Sequence, residues 1–191
     1  MSDAQKNTLE QLLKSIGLAS DFFEQLRNES DWAMVIKLHA IFEAVLADLI
    51  AKRLDKPELR TAVSHLDFNH TKAGKVVFAH QLGLLHKQHT TFLRGLSELR
   101  NQLVHNIKNV SFSFVTYVSG LSKSELKEFR TKFGAPLLRI ENGEMYYKEY
   151  LELNPKFIVH LAARDCLLAL QFSVAPSTRN RLAELLMSKT K

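Results

Sequence analysis

Apolar residues return every third or fourth position through most of this chain. Phe92, Leu96, Leu99, Leu103 and Ile107 fall within one narrow stripe of a helical wheel, and Leu93 and Val104 widen it on one side. Val35, Leu38, Phe42, Val45, Leu46 and Leu49 mark a second such face. Only four prolines and seven glycines are available to interrupt these segments, which favours a mainly helical protein over a sandwich or a barrel. With 46% hydrophobic residues the chain can fill one sizeable core, so residues 1–191 are expected to form a single antiparallel helical bundle.

Along the chain, residues 3–28 read as one or two helices bent at Gly17. Ser30 or Asp31 caps the strongest helix, over about 31–54. A short helix follows with Pro57 in its first turn, then helices over 70–85 and 88–108. The character changes after Asn109. Val110, Phe112 and Phe114 alternate as in a half-buried strand, and Asn142-Gly143 between two strand-like runs predicts a hairpin. Between them SKSELKEFRTKFG reads as a short helix ended by Gly134, so 110–148 is expected to be a small inserted α/β region. Asn154-Pro155 starts a long apolar helix to about Val174. Pro176 interrupts, Ser177 caps, and a basic terminal helix completes the pattern.

Several classes are disfavoured. The lone Cys166 sits in an apolar helical run and predicts a buried free thiol, with a reducing, cytoplasmic setting. The opening MSDAQKNTLEQLL lacks the basic flank and apolar stretch of an export leader. No uninterrupted run of roughly 18 apolar residues predicts a membrane span. No glycine-rich phosphate loop, nucleophile elbow or dinucleotide fingerprint is present, and no cofactor is expected. The net charge of +6 fits either an anionic partner such as nucleic acid or a solvated basic surface. FRTKF and STRNRLAELLMSKTK carry part of that charge.

Two charged residues stand where apolar ones belong. Arg100 projects between Leu93 and Val104, and Glu43 projects between Ile36 and Ile50 on the other major helix. Burying either alone costs several kcal/mol, so a Glu43–Arg100 ion pair between packed helices is expected. Asn101 and His105 project to another side of the same helix. His105 falls near its C-terminus, where the partial negative charge stabilises an imidazolium. Two-fold pairing of this helix with a second copy would gather two arginines and two histidines around one cleft.

Other side chains have plainer readings. His39 lies within the apolar arc and reads as a satisfied core histidine. His65, His70, His80, His86 and His89 are scattered without a paired cysteine or compact carboxylate motif, and no metal site is expected. Phe112, Phe114, Tyr117, Tyr146, Tyr147 and Tyr150 are either packing residues or stacking surfaces for bases.

The stretch RNQLVH resembles the R-x4-6-H signature of the HEPN superfamily: Arg100 matches the arginine, Asn101 the polar residue after it, and His105 the histidine. The helix bearing Glu43 resembles the acidic helix of many members. The likeness covers about 30–108 and, more weakly, 155–174; it does not account for 110–148. Within that clan the layout is similar to the mannitol operon repressor group. The resemblance implies a HEPN-type bundle and, in active members, a metal-independent endoribonuclease in defence, toxin–antitoxin or stress control. A ribose 2′-hydroxyl would attack the adjacent phosphate, with His105 moving a proton, Arg100 stabilising phosphate charge and Asn101 orienting substrate or histidine. The implied partners are RNA, a second copy of the chain, and an antitoxin or regulatory protein. The alternatives are a non-catalytic regulator acting through protein contacts and a purely structural interaction module.

Overall fold

The computed structural model describes residues 3–139, 151 and 153–174. Among them the protein is mainly helical and contains no strand. Helix α1 is Asp3–Ser15, and Gly17 turns the chain after it with a φ of +84°, a conformation open to glycine. A one-turn α2, Phe22–Gln25, leads through a 3-10 turn to Ser30, whose hydroxyl accepts from the Ala33 N–H and caps α3, Asp31–Arg53. Then come α4 (Arg60–Ser64), α5 (Lys75–Gln81) and α6 (Lys87–Val104). Two short helices, α7 (Phe114–Ser119) and α8 (Lys123–Gly134), precede the long α9, Pro155–Val174. Asn154 caps α9 by accepting from the Phe157 N–H at 3.1 Å.

One continuous apolar cluster joins these helices, from Leu9 on α1 to Leu170 on α9. Helix α3 packs against α4, α5, α6 and α9, and α6 also packs against α8. Phe92 on α6 stands edge-on to Phe42 of α3 and to Phe133 of α8, each with ring centroids 6.0 Å apart. Helix α9 has the length and apolarity of a membrane-crossing segment. Here it serves as a core helix, with Ile158, Val159, Ala162, Ala163, Cys166 and Leu167 buried. Cys166 is a fully buried free thiol; burial first, then the charge of Asp165, pushes its pKa well above the ordinary thiol value.

The strand expected at Val110, Phe112 and Phe114 is a helical segment instead. Ile107–Ser111 is a 3-10 turn, and α7 begins at Phe114. Two contacts impose this. Ser113 caps α7 by accepting from the Thr116 N–H, and the Phe114 N–H donates to Asp31 Oδ2 at 2.7 Å. The apolar residues then recur as Phe114, Tyr117, Val118 and Leu121, a helical period. Tyr117 and Phe129 join the aromatic packing that continues to Phe133. Lys123–Gly134 is helical as expected, with a capping box between Ser122 and Glu125. The described part of the supposed α/β insertion thus consists of short helices and their joints, with no strand. The Asn142-Gly143 hairpin, Tyr146, Tyr147, Tyr150 and the terminal helix after Ser177 lie outside the described residues.

Candidate functional site

Helix α5 is shorter than its expected 70–85 span, and the difference builds a wall. Residues 65–74 form a loop whose backbone is closely bonded: the Lys75 N–H donates to the Asp67 carbonyl, the Val76 N–H to that of Phe68, and the Gly74 N–H to that of His70. The N–H groups of Lys72 and Ala73 donate to His70 Nδ1. Gly74 lies so close to this turn that a Cβ would stand 2.5 Å from the His70 nitrogen.

Between this loop and helices α3 and α6 lies a polar recess of about 340 Å³. Helix α3 contributes His39 and Glu43, the loop contributes Asp67, Phe68, Asn69 and His70, and α6 contributes Ser97, Arg100 and Asn101. The wheels therefore place Glu43 and Arg100 on walls of one cavity, yet the expected ion pair between them is not formed. Glu43 Oε1 is 3.6 Å from Lys75 Nζ, and its Oε2 is 3.9 Å from His39 Nδ1. Lys75 is only 2% exposed, and a buried ammonium needs a counter-charge more urgently than a half-buried guanidinium. Its Nζ also donates to the Leu66 carbonyl at 2.7 Å. Arg100 instead donates from Nη1 to Asn101 Oδ1 at 3.1 Å, with no carboxylate within 4 Å among the described residues.

His105 is the C-cap of α6 and is exposed. It stands one turn beyond Asn101, about 6 Å along the axis, and does not line the recess. The helix end beneath it is tied down, because Asn109 Nδ2 donates to the Gln102 carbonyl at 2.8 Å. Arg100 and Asn101 are thus in the recess, and His105 is outside its mouth on the same helix.

Lys75 is the residue that sequence reading passed over. A lysine at the start of a helix opposes the helix dipole, and that was the available signal that another element holds it. His39 is buried as expected but not satisfied. Its ring lies 4.3 Å from that of Phe68, and its Nε2 has no hydrogen-bond partner among the described residues. Among the described residues no three His, Cys, Asp or Glu side chains converge as a metal site would need.

Two buried histidines make stability depend on pH. Burial lowers the His39 pKa, helped by Arg100 and Lys75 and opposed by Glu43. Burial likewise lowers that of His160, whose Nε2 meets the Phe23 carbonyl at 3.0 Å. Below a pH of about 6.5 the unfolded chain binds protons at these sites that the folded protein still refuses. Their stabilising effect is therefore complete above that pH and is lost as pH falls toward the lowered folded values. Melting temperature should drop between pH 7 and pH 5, and His39→Gln or His160→Gln should each flatten the slope. Variant profiles parallel to the parent would sink the assignment.

No family model, curated protein or solved structure matches the chain.

Proposed function

We propose that the chain is a HEPN-type RNA-binding protein that acts as a metal-independent endoribonuclease, as a cytoplasmic homodimer in defence, toxin–antitoxin or stress control. One observation carries the reading. The Arg100 guanidinium borders a polar recess without a carboxylate partner, beside Asn101 and one helical turn from an exposed His105. An arginine neutralised by a core glutamate would be spent on packing; one held only by an amide keeps its charge for a phosphate.

In this scheme Arg100 binds the scissile phosphate and stabilises the charge that builds on it. A ribose 2′-oxygen attacks the adjacent phosphorus, the bond to the 5′-oxygen breaks, and a cyclic phosphate and a 5′-hydroxyl result. One proton leaves the 2′-hydroxyl and one reaches the departing oxygen. His105 serves one of these transfers, and His105 of a second copy would serve the other. Val104, Ile107 and Val110 around His105 are exposed apolar residues, Ile107 at 84%, and suit such a protein contact.

The same apolar rim favours a second reading, a non-catalytic regulator that binds a protein there. The two part in one experiment. The endoribonuclease cuts single-stranded RNA in EDTA, and His105→Ala lowers the rate by about 10²-fold or more. The melting temperature of that variant stays put, since the His105 side chain makes no bond to the described residues. Uncut RNA with the parent chain, or full cutting by His105→Ala, would sink the nuclease.

A further inference from the structure

We infer that the recess beside Arg100 is a nucleobase subsite that selects guanine. The inference rests on the RNA reading above and adds a sequence preference to it. Polar groups with unused bonding capacity converge there. Ser97 is 4% exposed, lines the recess, and its hydroxyl makes no hydrogen bond to the described residues. His39, 6% exposed, lines the same recess with Nε2 unpartnered. A ring nitrogen withheld from water without a partner is costly, and across from it on α6 the unbonded Ser97 hydroxyl keeps a donor and an acceptor free, so the two together point to a ligand with polar edges.

The opposite wall supplies the discrimination. The backbone of Asp67 is tied to Lys75, and that of the next residue, Phe68, to Val76. The side-chain ends of Asp67 and Asn69 make no hydrogen bond or ion pair among the described residues. They are thus held in place by a bonded loop yet left open to a ligand. The volume, about 340 Å³, falls at the low end of small-ligand pockets, which run from about 300 to 1,000 Å³. A flat heterocycle suits it, with its phosphate toward Arg100.

Guanine follows from the carboxylate. Unpaired RNA bases are read on their Watson–Crick edges. A carboxylate accepts from two neighbouring N–H donors at once, and guanine alone among the RNA bases offers two, N1–H and the N2 amino group. Adenine and cytosine set a bare ring nitrogen beside their amino group. Uracil sets N3–H between two carbonyl oxygens. Each of these turns a lone pair toward Asp67.

Titration of the full chain with the 3′-monophosphates of the four nucleosides (GMP, AMP, CMP and UMP in their 3′ forms), which carry the phosphate where a cut after the base falls, tests this without requiring cleavage. GMP should bind about tenfold tighter than AMP, CMP or UMP, the discrimination a two-bond pairing supplies. Asp67→Asn exchanges an acceptor for a donor on an exposed side chain; it should bring GMP level with the others and leave the melting temperature unchanged. Ser97→Ala should weaken GMP binding while keeping the order of preference. GMP no tighter than AMP and UMP, or an Asp67→Asn chain that still prefers GMP, overturns the subsite. Cleavage after all four bases alike would also overturn it and leave the nuclease standing. GMP preference in a chain that cuts no RNA would support the subsite and remove the nuclease.

Discussion

Arg100→Ala should lower RNA cleavage by about 10²–10³-fold, the usual loss when one donor to a developing oxyanion is removed. Its melting temperature should barely move. That second half separates two arrangements of the same residues. Were Arg100 paired with Glu43 in the core, alanine would strand a buried carboxylate and destabilise the fold by about 3–5 kcal/mol. Here Glu43 has Lys75 and His39 as neighbours and is 43% exposed, while Arg100 loses only a bond to the adjacent Asn101. Arg100→Lys should recover little, because an ammonium cannot reproduce the planar fork that grips two phosphate oxygens. Thermal denaturation beside a cleavage assay in EDTA reads both quantities. A large drop in melting temperature on Arg100→Ala would place the guanidinium in the packing and withdraw it from phosphate.

The wheels located this site and mistook its pairing. Period and direction along a helix are local properties, so Glu43 on α3 and Arg100 on α6 could be aimed toward one cavity from spacing alone. What fills the space between two helices is not local. Lys75 enters that space from a third element, because residues 65–74 leave the helical path and fold back through bonds to Asp67, Phe68 and His70. No period marks such a loop. The same limit explains Phe112 and Phe114. Two alternating aromatics suggest a strand, but the capping hydroxyl of Ser113 and the distant Asp31 carboxylate start a helix at Phe114. Phe114, Tyr117, Val118 and Leu121 already carried that helical period, and reading from the cap forward rather than from Val110 finds it. The caps at Ser30 and Asn154 were legible because side-chain capping acts within a few residues.

Phe92→Ala should be the most damaging single truncation near the site, at about 3–5 kcal/mol. The ring is wholly buried and meets Phe42 on one side and Phe133 on the other, both edge-on. Edge-to-face pairs add to plain area burial, so alanine removes two favourable contacts as well as leaving a cavity. Total stability for a chain of this size is about 0.05–0.15 kcal/mol per residue, so the loss is a large share of it. The melting temperature should fall by roughly 10 °C. Phe92→Leu refills part of the space without restoring the aromatic edges and should recover about half. The location gives the result functional weight. Phe92 seats α6 between α3 and α8, and α6 carries Ser97, Arg100, Asn101 and, at its end, His105. A cleavage defect that appears only above the lowered melting point would assign Phe92 to holding α6 in place. A defect at all temperatures, with an unchanged melt, would mean that the ring acts on the recess itself and that the aromatic packing is not what supports this helix.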